Sequence, residues 1–547
     1  MDRKRTCCHW LMFSLAGKII IGQTIFVLST LTILFGQGGI PSNPLVDELG
    51  CGNCHSGTEK SENIFQRTPD LSYAGVKYNN AFLYDYLKSP YSVRHNIGNS
   101  RMPDFGFSDD EALALTLYFT GKRALPETVQ VTEINFNKGK NGFEILHNDY
   151  QCTKCHQLNG VGELKSTDLS QAGFRLNAGW LSNFIQNPEP YLPKGSSMPD
   201  FFGSNEAHGL DQRSTKLLNT IVSYLAQINS NKRQQLEKEF RKARKAYTNV
   251  TAEMGRIIFL SQNCQACHTM KDETPWFKHN APDLTAQQMR TQPQWLKTYL
   301  GSLSPIRPFG YFPGTGSRMP NFGLNEAEIE ELTGWLGAAE LKTVAQPISA
   351  FQSKKVEKLL DDFLPCLGCH QMDGKGGRIG PDLSNAGNRL TDGFIKMAVT
   401  MPHMVMPESI MPKTAIDPNL RNLVISYLAR KSSNSKTEYP NLIQNTPYQI
   451  RDSYTANCAP CHGLNGNGAG FNKEFLPIKP GDFTDGKLMS ERTDDTLFDT
   501  INVGGRIMNK SHFMPAWGKK MSQEEIINYV KIIRGFCDCE QPGWAKK

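Results

Sequence analysis

Helix-period segments recur along the chain and alternate with polar turns rich in glycine and proline. Apolar residues follow helical spacing in DDEALALTLYF (residues 109–119), EAEIEELTGWL (326–336) and QEEIINYVKII (523–533). Shorter amphipathic segments, such as FLYDYLKS and QWLKTYLG, come earlier in the same stretches. The pattern predicts an all-α protein in which short helices are joined by long loops.

One segment near the N-terminus departs from this pattern. The chain is apolar and free of charge from Ile19 to Phe35, 17 residues in all, behind the basic start Asp2 to Arg5. This length is short for a membrane span and long for the apolar core of a signal peptide. No A-x-A cleavage site follows, although Gly36 and Gly38 are small. We expect a transmembrane anchor, with a cleaved signal peptide as the alternative. In both cases the chain after about residue 40 is exported.

Length and charge limit the class of protein. A chain of 547 residues is too long for one core, and 39% hydrophobic residues with 47 glycines and 31 prolines describe loop-rich modules. The net charge of +7 comes from the basic start and from residues 231–247. Because the rest sums to zero, the charge argues against a nucleic-acid binder. Residues 231–247 are predicted to be a solvated helical linker, with a docking face for an acidic partner or anionic lipid as the alternative.

The cysteines carry the strongest signal. Ten of the 14 lie in five copies of C-x-x-C-H: CGNCH, CTKCH, CQACH, CLGCH and CAPCH. This spacing lets two thiols add to the vinyl groups of a haem while the histidine ligates the iron. Zinc or thiol redox sites do not need that histidine. We therefore predict five covalently attached haem c groups, held by Cys51, Cys54, His55, Cys152, Cys155, His156, Cys264, Cys267, His268, Cys366, Cys369, His370, Cys458, Cys461 and His462.

One cysteine pair near the C-terminus has no following histidine and cannot form a sixth attachment site. Cys537 and Cys539 are therefore expected to form a disulfide, with free thiols or a metal pair as the less favoured alternative.

The five motifs are spaced as in a tandem array of domains. They recur at 101, 112, 102 and 92 residues, close to the size of one small domain each. We predict a basic start with an anchor or signal, five modules, and two linkers. The modules are 40–125, 136–229, 250–344, 350–430 and 447–540; the start is 1–39, the charged linker 230–249 and the flexible linker 431–446.

A methionine-proline loop recurs in register in every module. In modules one, three and four the methionine lies 16 residues before an aromatic residue of the closing helix; module five has 15, and module two has 26 because of an insertion. Alone, each methionine could be a packed loop residue, but the register favours a ligand role for Met102, Met198, Met319, Met411 and Met514. In module four, spacing selects Met411 over Met401, Met404 and Met406. His95, His403 and His512 also lie near these methionines, but modules two and three have no such histidine.

Each module resembles a small class I cytochrome c, and the resemblance covers nearly all of the chain after residue 40. It implies that the histidine of each motif is the proximal iron ligand and the loop methionine the sixth ligand. It also implies that a proline carbonyl orients the histidine, through Pro69, Pro282 and Pro381. Module two has Thr167 at this position, and module five offers Pro477 or Pro480. A soft thioether ligand favours ferrous iron and raises the reduction potential.

These observations predict a membrane-anchored pentahaem carrier of single electrons. Its expected partners are a quinol-linked membrane complex and a soluble or terminal acceptor, on the periplasmic or external side of a bacterial inner membrane. With every iron six-coordinate, the protein would not be an enzyme by itself. The alternatives are the electron-transfer subunit of a quinol or small-molecule dehydrogenase complex, or a haem peroxidase if module four lacks its methionine ligand. Module five is expected to exchange electrons with the soluble partner, from a flexible tether or packed on module four.

Overall fold

The structure is a computed structural model in which helices and loops make up almost the whole chain. It describes residues 42–93, 101–124, 141–192, 196–202, 210–276, 281–311, 316, 318–337, 345–406, 409–433, 437–444 and 452–546. The predicted anchor lies outside these residues. Within them, no helix has the length and the apolar composition that a membrane crossing requires. The helical fold class is confirmed.

The first half of the chain forms eleven α-helices within the described ranges. They are α1 Pro44–Leu49, α2 Ile64–Arg67, α3 Ala74–Lys77, α4 Asn80–Lys88, α5 Asp109–Thr120, α6 Gly142–Glu144, α7 Ala172–Arg175, α8 Ala178–Gln186, α9 Gln212–Gln227, α10 Ser230–Ala246 and α11 Ala252–Ser261. A π-helical turn, Ile145–Asp149, continues α6, and β1 Gln157–Leu158 pairs with β2 Val161–Gly162.

The second half continues with short helices in the same style. They are α12 Gln287–Arg290, α13 Pro293–Gly301, α14 Glu326–Leu336, α15 Ala350–Asp362, α16 Cys366–Cys369, α17 Ala386–Arg389, α18 Asp392–Thr400, α19 Pro402–Val405, α20 Pro418–Leu428, α21 Ser453–Asn457, α22 Ala459–His462, α23 Gly486–Ser490, α24 Asp494–Val503 and α25 Gln523–Cys537. A second hairpin joins β3 Gln371–Met372 to β4 Lys375–Gly376. Cys537 and Cys539 form a disulfide, as expected.

Modules one and three exchange their helices. The helix α11, which precedes the third motif, packs across α5, the closing helix of module one, with Phe259 fully buried in the shared core. The crossing is close, because a Cβ on Gly255 would lie 2.0 Å from the carbonyl oxygen of Ala114. In return, α1 packs against α14 of module three through Leu45 and Leu336. Each closing helix therefore packs on the opening helix of the other module.

Two composite units result from this exchange. Unit A consists of the described residues within 42–67 and 281–337, and unit B of those within 68–124 and 250–276. Two backbone hydrogen bonds connect modules one and three at the crossing. The amide of Leu71 donates to the carbonyl of Thr269 (3.0 Å), and the amide of Leu284 donates to the carbonyl of Ser56 (2.9 Å). The equivalent bond in module four, from Leu383 to Gln371 (2.8 Å), stays within that module. The contacts therefore cross the sequence ranges predicted for modules one and three.

The two methionine-proline loops of this pair lie side by side. Asp104 and Asn321 exchange both backbone hydrogen bonds at 2.7 Å. The arginine before each methionine reaches the opposite unit: Arg318 pairs with Glu111 (3.0 Å) and Arg101 with Glu328 (2.5 Å). Each glutamate also closes the capping box at the start of its helix, α5 or α14. The two loops thus hold units A and B together by a pair of related ion pairs.

Modules two, four and five build separate cores. The core of module two centres on Trp180 and Val222, that of module four on Phe394 and Leu360, and that of module five on Ile526. The basic segment 231–247 is helical over α10, as predicted. One face of α10 packs on α4, with Leu236 and Ala243 buried.

The linker before module five is bound over residues 437–444. Leu442 is buried in unit B and donates its backbone amide to Glu111 (2.6 Å), while the Asn441 side chain donates to Asp110 (2.9 Å). The prediction of a flexible linker is therefore wrong for these residues. The sequence looked tether-like because polar residues surround one apolar anchor, Leu442, whose partner lies more than 300 positions earlier.

We predict that Glu111→Gln destabilises the protein much more than Glu328→Gln. Both changes preserve a capping box, because glutamine can accept the same amide. Glu111→Gln leaves the Arg318 charge buried without its partner, which we expect to cost about 3–5 kcal/mol. Arg101 is more exposed, so Glu328→Gln should cost about 1 kcal/mol or less. Denaturant unfolding followed by circular dichroism measures both, and equal losses would contradict the role given to the buried pair.

Candidate haem-attachment sites

All five C-x-x-C-H motifs form the same tight turn. In each, the histidine amide donates to the carbonyl of the first cysteine, at 2.9 to 3.0 Å. The turn brings residues i and i+4 to one side of the chain, as in a helix. The first cysteine and the histidine of each motif are therefore directed toward a common site.

The second ring nitrogen of each histidine is fixed by a backbone carbonyl. His156 bonds through Nδ1 to the carbonyl of Thr167 (2.7 Å), and His370 to that of Pro381 (2.8 Å). A carbonyl can only accept, so Nδ1 carries the proton and the Nε2 lone pair is left for a metal. In module five the acceptor is Gly481 (3.1 Å), which replaces the predicted Pro477 or Pro480.

The first and third histidines are oriented across the exchange. His55 bonds to the carbonyl of Pro282 (2.8 Å), and His268 to that of Pro69 (3.0 Å). The pairing implied by the sequence, Pro69 with His55 and Pro282 with His268, is therefore wrong. The two prolines do act as expected, but each serves the other module because the chain crosses over directly after both motifs.

Nine of the ten attachment cysteines are half-buried. Burial raises the pKa of Cys51 to about 12 and that of Cys366 to about 11, so both are protonated thiols at neutral pH. Of the ten, only Cys155 is exposed. Among the described residues, no group of three or more His, Cys, Asp or Glu side chains could hold a metal ion. Neutral paired thiols beside an imidazole suit thioether attachment to haem better than a zinc site or a reactive thiolate.

The predicted methionine ligands lie in half-buried loops, and two of them join cores that contain attachment cysteines. Met319 packs in the core of unit A with Cys51, and the Tyr299 hydroxyl lies 3.9 Å from its sulfur. Met514 packs in the core of module five with Cys458. Met102, Met198 and Met411 are also half-buried. Their roles as ligands stay predictions.

In module four, burial reduces the number of candidate iron ligands but does not select a single residue. Met401 and Met404 are 38% and 47% exposed, whereas Met406 and Met411 are both half-buried. His403 was not favoured by the sequence analysis, yet its Nε2 atom is buried and has no hydrogen-bond partner among the described residues. His403 therefore competes with Met411 as a ligand in this module. Its position within the methionine cluster was the available sequence signal.

Two pairs of attachment motifs touch directly. The Asn53 side chain, inside the first motif, donates to the carbonyl of Ala266 in the third (2.6 Å), and the Asn263 amide lies 3.8 Å from the sulfur of Cys54. In modules four and five, the fully buried Asn472 donates to the carbonyl of Gly368 (2.9 Å) and lies 3.3 Å from the sulfur of Cys461. In each pair, cysteine-bearing turns face each other across a buried asparagine.

Two further junctions are built from short backbone bridges. Between modules two and one, Asn79 donates to the carbonyl of Arg175 and Asn177 to that of Lys77, both at 2.9 Å. The junction between modules three and four repeats this arrangement: Gln292 donates to Arg389 (2.9 Å) and Thr391 to Arg290 (3.0 Å). The first bridge joins module two to unit B, and the second joins unit A to module four. The histidines of the neighbouring sites therefore follow the order His156, His268, His55, His370, His462.

Comparisons with known proteins identify two stretches of the chain. Residues 252–339 match the family model described as cytochrome c, and residues 446–531 match that of cytochrome c oxidase, cbb3-type, subunit III. Neither a curated protein nor a solved structure gave a match. Cytochrome c domains carry covalently bound haem c and transfer electrons. The chain therefore contains two cytochrome c domains, which supports its interpretation as a multi-domain cytochrome c.

Proposed function

We propose that this protein is a membrane-anchored pentahaem cytochrome that carries single electrons between membrane and exported redox partners. The family models match modules three and five. Support for all five sites comes from geometry, because every motif shows the same turn and the same bond from histidine Nδ1 to a carbonyl. The long apolar run from Ile19 to Phe35 supports the anchor.

The protein residues would position the cofactor and protect it from water. Bound haem supplies a one-electron ferric/ferrous couple. Each histidine is held in a single tautomer by its carbonyl partner, so its Nε2 is preorganised as a ligand. The Tyr299 hydroxyl, at 3.9 Å from the Met319 sulfur, would weaken that sulfur as a donor and so favour the ferrous state. Apolar cores next to Cys51 and Cys458 exclude water from these sites.

The order of the sites in space is the observation that carries the proposal. Contacts join each site to the next in one series, from His156 through His268, His55 and His370 to His462; a further aromatic contact joins Phe309 of unit A to Phe471 of module five (5.0 Å). A series of adjacent sites is what stepwise electron transfer requires. The order differs from that of the sequence, in which the motif of His55 comes first.

Partner binding is proposed at the two ends of the series. Modules two and five are terminal, so we propose that one exchanges electrons with a quinol-linked membrane complex and the other with a soluble or terminal acceptor. Module five is favoured as the acceptor end, because its sequence matches a subunit of an oxidase. It would act from a packed position at the end of the series, since the Asn472 contacts join it to module four.

We predict that the mature chain carries five haems. Each of the five attachment motifs supplies two thiols and one oriented imidazole. Denaturing mass spectrometry of fully matured protein should give the polypeptide mass plus five haem masses. A count of four or fewer haems would contradict the proposal. Proteolytic mapping would then show which motif carries no haem.

We also predict that removal of the first attachment site interrupts the series at its middle. A photoreductant on Lys165→Cys, an exposed position of module two, injects electrons at one end. In a Cys51→Ser, Cys54→Ser variant, only the haems at His156 and His268 should then be reduced rapidly. The reason is that His55 lies between His268 and His370.

The matched control removes the last site by Cys458→Ser and Cys461→Ser. This site is terminal in space and in sequence, so all four remaining haems should be reduced rapidly. Rapid reduction of all four haems in the variant without the first site would mean that electrons follow the sequence order, and the proposed series would be wrong.

A further inference from the structure

Three arginines converge at the junction between unit A and module four. Arg389 is 6% exposed, and Arg290 and Arg307 are half-buried. Backbone bonds fix their positions: Thr391 donates to the carbonyl of Arg290, and Asp382 donates to the carbonyl of Ile306, next to Arg307 (3.3 Å). Burial, and the charges of the other two arginines, lower the pKa of Arg389 to about 9. Backbone bonds thus hold three side chains of like charge at one junction.

The protein gives this cluster no carboxylate partner within the described residues. Among the described residues, the arginines that form ion pairs all lie outside this cluster. The nearest acids form no ion pair with the cluster; Asp283 accepts from Ser56 (2.7 Å) and Asp382 accepts from Ser384 (2.7 Å). The partners of the cluster are neutral: Arg307 donates to the carbonyl of Tyr311 (2.6 Å) and lies 4.7 Å from the Tyr311 ring, and Arg389 donates to the carbonyl of Asp382 (3.4 Å). Buried like charges are costly without an anion, so the cluster is suited to bind one.

The cluster lies between two attachment sites. Arg290 follows, on α12, the turn whose Pro282 orients His55. Arg389 follows, on α17, the turn whose Pro381 orients His370. A bound anion here would thus be near both sites at once.

We propose that Arg290, Arg307 and Arg389 form one shared site for the haem propionates at His55 and His370, so that these two centres meet at their carboxylate edges. This inference rests on the proposed function, because it requires haem at both sites. Guanidinium groups bind carboxylates in a bidentate manner, and three of them can serve carboxylates from two sides. The shared positive charge stabilises the ferrous state of both centres together.

The other junctions fit an alternation of edges. The sites of His55 and His268 meet at their cysteine turns, through Asn53, and so do those of His370 and His462, through Asn472. The thioether bonds and the propionates belong to opposite halves of a haem ring. The haem at His55 would therefore face the site of His268 with its thioether half and the site of His370 with its propionate half. The haem at His370 would face the site of His462 with its thioether half and the site of His55 with its propionate half. Lys77 and Arg175, both buried, hold the equivalent bridge positions between the sites of His268 and His156.

The test is a redox titration of Arg307→Gln in the mature full-length protein. Loss of one shared positive charge should lower the reduction potential of two of the five centres. At a fixed applied potential, the ferrous-to-ferric ratio of each of these two centres should fall by about threefold or more. Arg307→Lys should restore most of the shift, because it keeps the charge. Arg241→Gln, at an exposed position of α10, is the control and should shift none.

A second measurement shows whether the site is shared. In a Cys366→Ser, Cys369→Ser background, which lacks the haem at His370, Arg307→Gln should shift only one centre. The shared site would be overturned if Arg307→Gln in the complete protein shifts the potential of one centre or of none. It would also be overturned if the shift is no larger than that caused by Arg241→Gln. Haem counting on the parent protein separates this from the proposed function, which fails if any of the five sites carries no haem.

Discussion

The packing of α11 against α5, and of α1 against α14, determines how the rest of the protein is arranged. Each crossing joins the opening helix of one module to the closing helix of another. Gly255 permits the close approach at Ala114, and no larger side chain would fit there without moving the backbone. Because the chain crosses between units right after the motifs of His55 and His268, both histidines take their orienting carbonyl from the other module. The exchange is thus part of the sites themselves.

The exchange also accounts for the arginine in the repeated methionine-proline loops. Arg318 and Arg101 each bind the capping glutamate of the opposite unit, so that the loop expected to supply a ligand also clamps the two units together. The strap at residues 437–444 adds a third partner to Glu111, since Leu442 donates its amide to the same carboxylate. Loop position, unit pairing and the route to module five therefore depend on one buried carboxylate. Substitution of Glu111 would therefore disturb all three of these features.

The sequence was sufficient for the helical fold, for the attachment motifs and for the segments that form the closing helices. These features are local: the C-x-x-C-H turn closes within five residues, and helix periodicity lies within a single segment. The exchange could not be predicted, because the repeats carry equivalent residues. The bond made by Leu383 within module four is made by Leu71 and Leu284 across modules, with the same type of residue. Local patterns cannot distinguish a partner in the same repeat from its equivalent in another, and Leu442 was missed because its partner is distant in the sequence.

The exchange has a direct spectroscopic consequence, because Met319 shares its core with Cys51 in unit A. In a Cys51→Ser, Cys54→Ser background, which lacks the first haem, Met319 has no iron to bind. The account predicts that Met319→Ala then leaves the near-infrared sulfur-to-iron band of the ferric protein unchanged, whereas Met102→Ala removes about a quarter of it. If Met319→Ala removes that share and Met102→Ala does not, each module binds its own methionine and the exchanged arrangement is contradicted.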